Sequence, residues 1–193
     1  MPRHIAIIDA HPDPDAGRFN HSLVRAYAEG AREAGHEVHV IELGQLNFPL
    51  IRSKADWESG KIPPALERAQ DSIAWAEHLV FFYPLWLGSM PALLKGFLEQ
   101  VMRPGFAVPA PDDHRRKLLA GRSARIVVTM GMPALLYRWY YQAHSLKSLE
   151  RNVLKFCGIA PVKETLIGMV EASSAGAHRK WIGRLRALGR AGA

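Results

Sequence analysis

Cysteine is nearly absent. Cys157 stands alone, so no internal disulfide can form; this fits a reducing compartment, and a cytoplasmic setting is expected. A membrane-spanning run is missing too. Residues 79–94 carry no charge, but these 16 residues include two prolines and fall short of the roughly 20 apolar residues that a spanning helix needs. The amino-terminal segment offers only residues 5–8 as an apolar core, too short for a signal peptide. No G-x-G-x-x-G follows the first apolar run, where Gly17 is the one glycine of the loop AHPDPDAGRFN. Tight nicotinamide binding in a Rossmann site is therefore not expected.

The 193 residues are 48% hydrophobic and 22% charged, which excludes a disordered chain and allows one domain over 1–193 with a sizeable core. The net charge of +7 is unevenly placed. Residues 1–100 hold 9 Lys and Arg against 13 Asp and Glu, a balance of −4; residues 101–193 hold 16 against 5, a balance of +11. Such a half attracts an anionic dinucleotide or the acidic half of another copy, or is a solvated arginine-rich surface. No nucleic-acid-binding motif accompanies it, and nucleic acid is not an expected partner.

Continuous apolar runs mark strands buried on both faces: His4–Asp9 (HIAIID), 79–83 (LVFFY) and 124–130 (ARIVVTM). Residues 37–43 alternate and 160–168 supply a fifth strand. Between them lie helical patterns. One is capped by Asn20 and stopped by Gly35. A second uses Leu66, Ala69, Ile73 and Ala76. A third, N-capped by Ser89 with Pro91 in its first turn, buries Leu93, Leu94, Phe97, Leu98 and Val101. Gly96 inside that third helix costs about 1 kcal/mol against alanine, so something is expected to pack closely there. Residues 146–156 read as helix. The last helix sets Trp181, Leu185 and Leu188 inward and most of its arginines outward. Residues 44–61 read as loop. Alternation of strand and helix predicts an α/β fold with a parallel sheet covered on both faces.

Two loops draw attention. The first leaves strand one and enters a helix, where free N–H groups and the helix dipole favour an anion; His11, Arg18 and Asn20 add donors for a phosphate. Asp13 and Asp15 oppose that unless they face water. Asp9, His11, Asp13 and Asp15 also alternate as hard-metal ligands would, although Pro12 and Pro14 interrupt the strand such alternation needs. The second loop, PLWLG after the third strand, is apolar and sits where open α/β sheets take ligands. With Thr129, Met130, Gly131 and Met132 it suits a flat apolar ring held by backbone donors.

PLWLGSMPALLKGFLEQV followed by GFA, with AHP near the start and FCG near the end, resembles the signature of flavodoxin-like NAD(P)H:quinone oxidoreductases. That family includes mammalian-type quinone reductases, bacterial drug-activity modulators and ancillary subunits of glutathione-gated potassium efflux systems. The resemblance implies a three-layer flavodoxin-like fold with a five-stranded parallel sheet in order 2-1-3-4-5. It implies a flavin, FAD ahead of FMN, held by His11, Phe19 and Asn20 with Gly17 and Arg18 beside them, and by Pro84, Leu85, Trp86, Leu87, Thr129, Met130 and Gly131. Relatives often have an aromatic residue at Leu87 and glycine at Met132.

It further implies ping-pong catalysis, NAD(P)H reducing the flavin and a quinone-like acceptor reoxidising it, in a homodimer whose sites are completed across the interface. Tyr137, six residues after Gly131, matches a tyrosine that assists hydride transfer with a downstream histidine; His144 lies one residue out of step. Trp139, Tyr140 and Tyr141 form a lid or a dimer surface. Arg115, Arg116 and Lys117 attract NADPH or are solvated, and Cys157 is a small buried hydrophobe. Two alternatives remain: a flavin-binding regulatory subunit of a membrane potassium efflux protein, and a flavodoxin-type electron carrier.

Overall fold

The computed structural model describes residues 1–59, 61–109 and 117–193. Five strands, β1 (His4–Asp9), β2 (Glu37–Glu42), β3 (His78–Pro84), β4 (Ser123–Thr129) and β5 (Val162–Ile167), form one sheet in the order β2-β1-β3-β4-β5. Every pairing is parallel. All seven residues of β3, at the centre, are buried. Alternation sorts the side chains between two apolar layers: Ile5, Ile7, Val80, Phe82 and Val127 face one way, and Ala6, Ile8, Phe81, Tyr83 and Ile126 the other.

The first layer is closed by α1 (Phe19–Glu33) and α8 (Ala175–Arg190), through Leu23, Tyr27 and Leu185. Their backbones nearly touch. A Cβ on Gly30 would lie 2.1 Å from the Arg186 carbonyl oxygen, and one on Gly189 2.1 Å from that of Tyr27. At the surface Glu33 accepts from Arg186 and Arg190, which hold its carboxyl down to about 2. Gly35 ends α1 as expected: at φ 83° it and His36 donate to the Arg32 and Ala31 carbonyls.

The second layer is closed by α3 (Pro64–Trp75) and α4 (Ala92–Val101), and by α5 (Ala134–Trp139), α6 (His144–Ser148) and α7 (Lys155–Cys157). The close approach expected at Gly96 is to Leu50, whose Cδ2 would lie 2.6 Å from an added Cβ. Ser89 is not the cap of α4. Its N–H and C=O pair with those of Trp86 at 2.9 Å each, closing a two-residue turn with Leu87 at φ 48° and Gly88 at φ 74°. The helix then starts behind Pro91 without a side-chain cap. Residues 44–61 are not all loop: α2 (Lys54–Glu58) is capped by the Ser53 hydroxyl, which accepts from the Asp56 N–H. The helix expected over 146–156 is present, but Leu149–Leu154 is π-helical. Cys157 is buried and its thiol is pushed up to about 11.

His78 gives stability an acid limb. Its ring is buried at the start of β3, with Nδ1 2.8 Å from the Ser123 hydroxyl and Nε2 without a partner among the described residues. Burial pushes its pKa down to about 4. The unfolded chain takes up this proton near the ordinary value and the folded chain does not, so stability is full above about pH 6.5 and falls as the pH drops toward 4, by up to roughly 1.4 kcal/mol per unit. Urea unfolding followed across that window should show this slope, and His78→Leu should flatten it.

Candidate functional site

At the carboxyl ends of β1, β3, β4 and β5 lies a cavity of about 520 Å³, within the range of small-molecule sites. It straddles β1 and β3, where the strand order reverses. One wall is the loop into α1, with His11, Arg18, Phe19 and Asn20; another is Pro84, Leu85 and Trp86; the third is Thr129, Met130 and Gly131. The structure thus brings these expected residues around one space. Leu87 stands outside the wall, fully exposed at the tip of its turn.

The loop is ordered by its own side chains. Asp13 N–H donates to His11 Nδ1 at 3.1 Å, Asp15 N–H to Asp13 Oδ1 at 2.9 Å, and Gly17 N–H to Asp15 Oδ1 at 3.0 Å. Arg18 folds back on Asp13, its Nε donating to Oδ2 at 2.8 Å. The Asp15 N–H, with Arg18 beside it, holds the Asp13 carboxyl below the usual carboxylate range. Arg18 and Asp13 therefore neutralise each other at the cavity edge. Asp9, His11, Asp13 and Asp15 do not converge: Asp9 faces inward to His21 and Asn20, and Asp15 caps Gly17.

Two expectations about donors are revised. Asn20 does not cap α1, which starts at Phe19 behind Arg18 without a side-chain cap. Its amide NH2 instead donates to Asp9 Oδ1 at 2.9 Å, a bond to a charged acceptor that turns the side chain toward β1. Its Oδ1 is buried without a partner among the described residues. His11 is kept neutral, burial lowering its pKa. Its Nδ1 lies 3.1 Å from both the N–H and the carbonyl oxygen of Asp13, so Asp13 holds the ring in either tautomer, and Nε2 has no partner among the described residues. The N–H groups of Phe19 and Asn20 likewise take none. One end of the cavity thus offers donors without acceptors.

The other end is apolar, with Trp86 edge-on to His11 at 6.1 Å between centroids. Three features escaped the sequence. Val170 and Glu171, just beyond β5, complete the cavity, with the Glu171 carboxylate against Gly131. His178 of α8 stacks on Phe19 at 4.1 Å. His21 bonds Asp9. All join distant chain segments, which no local pattern reports.

Tyr137 and His144 are not brought together. Tyr137 is buried, its hydroxyl 2.6 Å from that of Ser145 and accepting the Leu146 N–H at 3.2 Å, whereas His144 is exposed at the start of α6. Neither lines the cavity. Tyr137→Phe is expected to cost about 1–2 kcal/mol of stability and to leave flavin reduction by NAD(P)H within about twofold. A tenfold slower reduction at unchanged stability would place the hydroxyl in the chemistry. Arg115 and Arg116 lie outside the described residues. Lys117 is exposed beside the turn into β5, at the far end of the sheet.

A family model described as a flavodoxin-like fold matches residues 3–187. A Haemophilus influenzae protein named as an uncharacterized NAD(P)H oxidoreductase is 29% identical over 166 residues, 84% of this chain and 82% of that protein. Among solved structures, the NAD(P)H:quinone oxidoreductase of Methanothermobacter marburgensis superposes with a TM-score of 0.80 at 25% identity, covering 98% of this chain and 96% of that one. Smu.1420 of Streptococcus mutans superposes with a TM-score of 0.79 at 26% identity, covering 97% and 98%.

Proposed function

The chain belongs to the flavodoxin-like fold family, and from that premise we propose that it is a flavin-dependent oxidoreductase moving two electrons from NAD(P)H to a quinone-like acceptor. The observation that carries this reading is a cavity at the sheet's topological switch with unpaired donors at one end and apolar walls at the other. The names of the two oxidoreductase relatives agree with it.

The residues present fit a flavin. The Phe19 and Asn20 N–H groups suit a phosphate, joined by His11 when its proton is on Nε2, and the buried, orphaned Asn20 Oδ1 suits a hydroxyl donor beside it. Pro84, Leu85 and Trp86 would hold the ring and exclude water; of Thr129, Met130 and Gly131, which border its other edge, Met130 already donates its N–H to the Ile167 carbonyl, which leaves the Gly131 N–H as the donor for the ring. FAD is preferred to FMN on the match at His11 and Asn20. Bound there, the flavin supplies the hydride acceptor for NAD(P)H and then the electron donor for the quinone, in ping-pong order.

A homodimer completes the proposal. Leu135, Leu136, Trp139, Tyr140 and Tyr141 leave an exposed apolar face on and after α5, larger in character than scattered surface residues, and a second copy is its proposed cover. No helix among the described residues is long and apolar enough to cross a membrane; a cytoplasmic location remains part of the proposal.

The test is an absorbance titration with FAD or FMN, followed by anaerobic NADPH and NADH and then a quinone. Flavin peaks that bleach with a nicotinamide and return with the quinone support the reading. Bound flavin that neither nicotinamide bleaches would replace the enzyme with a regulatory or carrier protein. If no flavin binds, the reading fails.

A further inference from the structure

Under the anion end of the cavity lies a charge pair that the proposed activity does not use. His21, in the first turn of α1, sets Nδ1 2.5 Å from Asp9 Oδ2 and Nε2 2.9 Å from the Asp13 carbonyl oxygen. Carboxylate and carbonyl oxygens only accept, so both ring nitrogens carry protons and the ring is an imidazolium. The side chains of His21 and Asp9 are 12% and 2% exposed. Burial works against this charge, but the Asp9 carboxylate and the Asp13 carbonyl outweigh it and raise the His21 pKa above its ordinary value.

The pair reaches the cavity through one residue, Asp13. His21 holds the Asp13 carbonyl, and His11 Nδ1 lies 3.1 Å from that carbonyl oxygen and from the Asp13 N–H, so Asp13 sets the His11 ring. The two imidazoles lie 5.3 Å apart. Asp9 is kept in place by the Asn20 amide at 2.9 Å and the His11 N–H at 3.4 Å. One buried carboxylate thus organises two of the residues that line the anion end. Arg18 is neutralised by Asp13, so the fixed positive charge nearest that end belongs to His21.

Resting on the flavin reading of the cavity, we propose that His21 is a positioning residue for anion recognition: clamped between Asp9 and the Asp13 carbonyl, it fixes the residue that holds the His11 ring and sets a buried positive charge beneath the ligand's phosphate. His21 does not touch the ligand. Its contribution is selective for the phosphate and indifferent to the ring.

Fluorescence titrations of the full-length protein with FMN and with riboflavin, which has the same ring and no phosphate, separate the two. His21→Gln keeps one donor but cannot be cationic. It should weaken FMN roughly tenfold, the scale of one charge-assisted contact, and leave riboflavin within about twofold. Equal losses for both ligands would reduce His21 to a support for the fold and overturn the proposal, as would no loss at all. Wild-type protein that binds neither ligand would fail the flavin reading itself, and the proposal with it.

Should His21→Gln not fold, the wild-type FMN-to-riboflavin preference is followed from about pH 7 to about pH 10 beside the His21 ring signal in an NMR titration. The groups facing His21 are Asp9 from β1, His11 and Asp13 from the loop, and Arg25 from α1. Asp9, His21 and Arg25 also line a second cavity of about 470 Å³, away from the ligand cavity, where Glu29, Arg32 and Glu42 stand around them. A raised histidine pKa means the charge is present below it and lost as the pH climbs through it. The preference should fall in step with that ring's deprotonation; a preference unchanged through it overturns the proposal.

Discussion

Asn20→Asp is expected to weaken FMN or FAD at least about 100-fold and to destabilise the protein by about 2–4 kcal/mol at neutral pH, although only one NH2 has become one oxygen. The Asn20 amide lies 2.9 Å from Asp9 Oδ1, and both residues are buried, 3% and 2% exposed. The substitution sets two carboxylates against each other there. At that distance they cannot both ionise cheaply, so one carboxyl keeps its proton well above the usual range. The penalty is therefore greatest above that raised value and shrinks as the pH falls through it. Asn20→Ala, which adds no charge, should cost less stability and show no such recovery. The ligand loses more than a partner, because the added negative charge faces its phosphate across the free N–H groups of the first turn. Urea unfolding between about pH 5 and about pH 8, with flavin titration at the upper end, reads both effects. Stability that does not recover on acidification would mean that Asn20 serves by shape alone.

Gly30→Val carries the second large effect, on the fold. The Arg186 carbonyl oxygen would stand 2.1 Å and its carbon 2.8 Å from the new Cβ. These are backbone atoms, so the clash is relieved only by moving α8 away from α1. Leu185, Leu23 and Tyr27 then part, and the layer they share with Phe82 opens. Overpacking of side chains typically costs 1–3 kcal/mol; with backbone against backbone the expected loss is about 3 kcal/mol or more, or roughly 6–12 °C in Tm. Gly189→Val attacks the same crossing from the other helix, against Tyr27, so the double variant should cost less than the sum of the singles. Unchanged melting of either single would show that the helices are not held at this spacing.

The residues that spoke plainly in the sequence were those whose signal is local. HIAIID and LVFFY are buried on both faces, and that burial is what makes them continuous. Gly96 announced a close neighbour because glycine in a helix costs stability, yet nothing in the sequence named Leu50. The walls of the cavity were readable through resemblance, since one motif runs through strand, turn and helix. Local pattern misleads where a residue that suits a local role is claimed by other partners. Ser89 could cap a helix but closes a turn with Trp86; Asn20 could cap a helix but reaches Asp9. The Ser53-x-x-Asp56 cap of α2 is local, but a five-residue helix has too little periodicity to stand out from a loop. The Asp9–His21 pair was not legible: it joins a strand end to a helix start across a loop whose path only the fold fixes.

That loop has a thermodynamic consequence. The N–H groups of Asp13, Asp15 and Gly17 are each tied to the side chain two residues earlier, a ladder of side-chain-closed turns. Its shape is thus settled when the chain folds and need not be gathered by an incoming ligand. The entropy of immobilising those residues, about 1–2 kcal/mol for each backbone fixed, is charged to folding and absent from binding. A small anion, with few atoms to contribute, meets a mould already set.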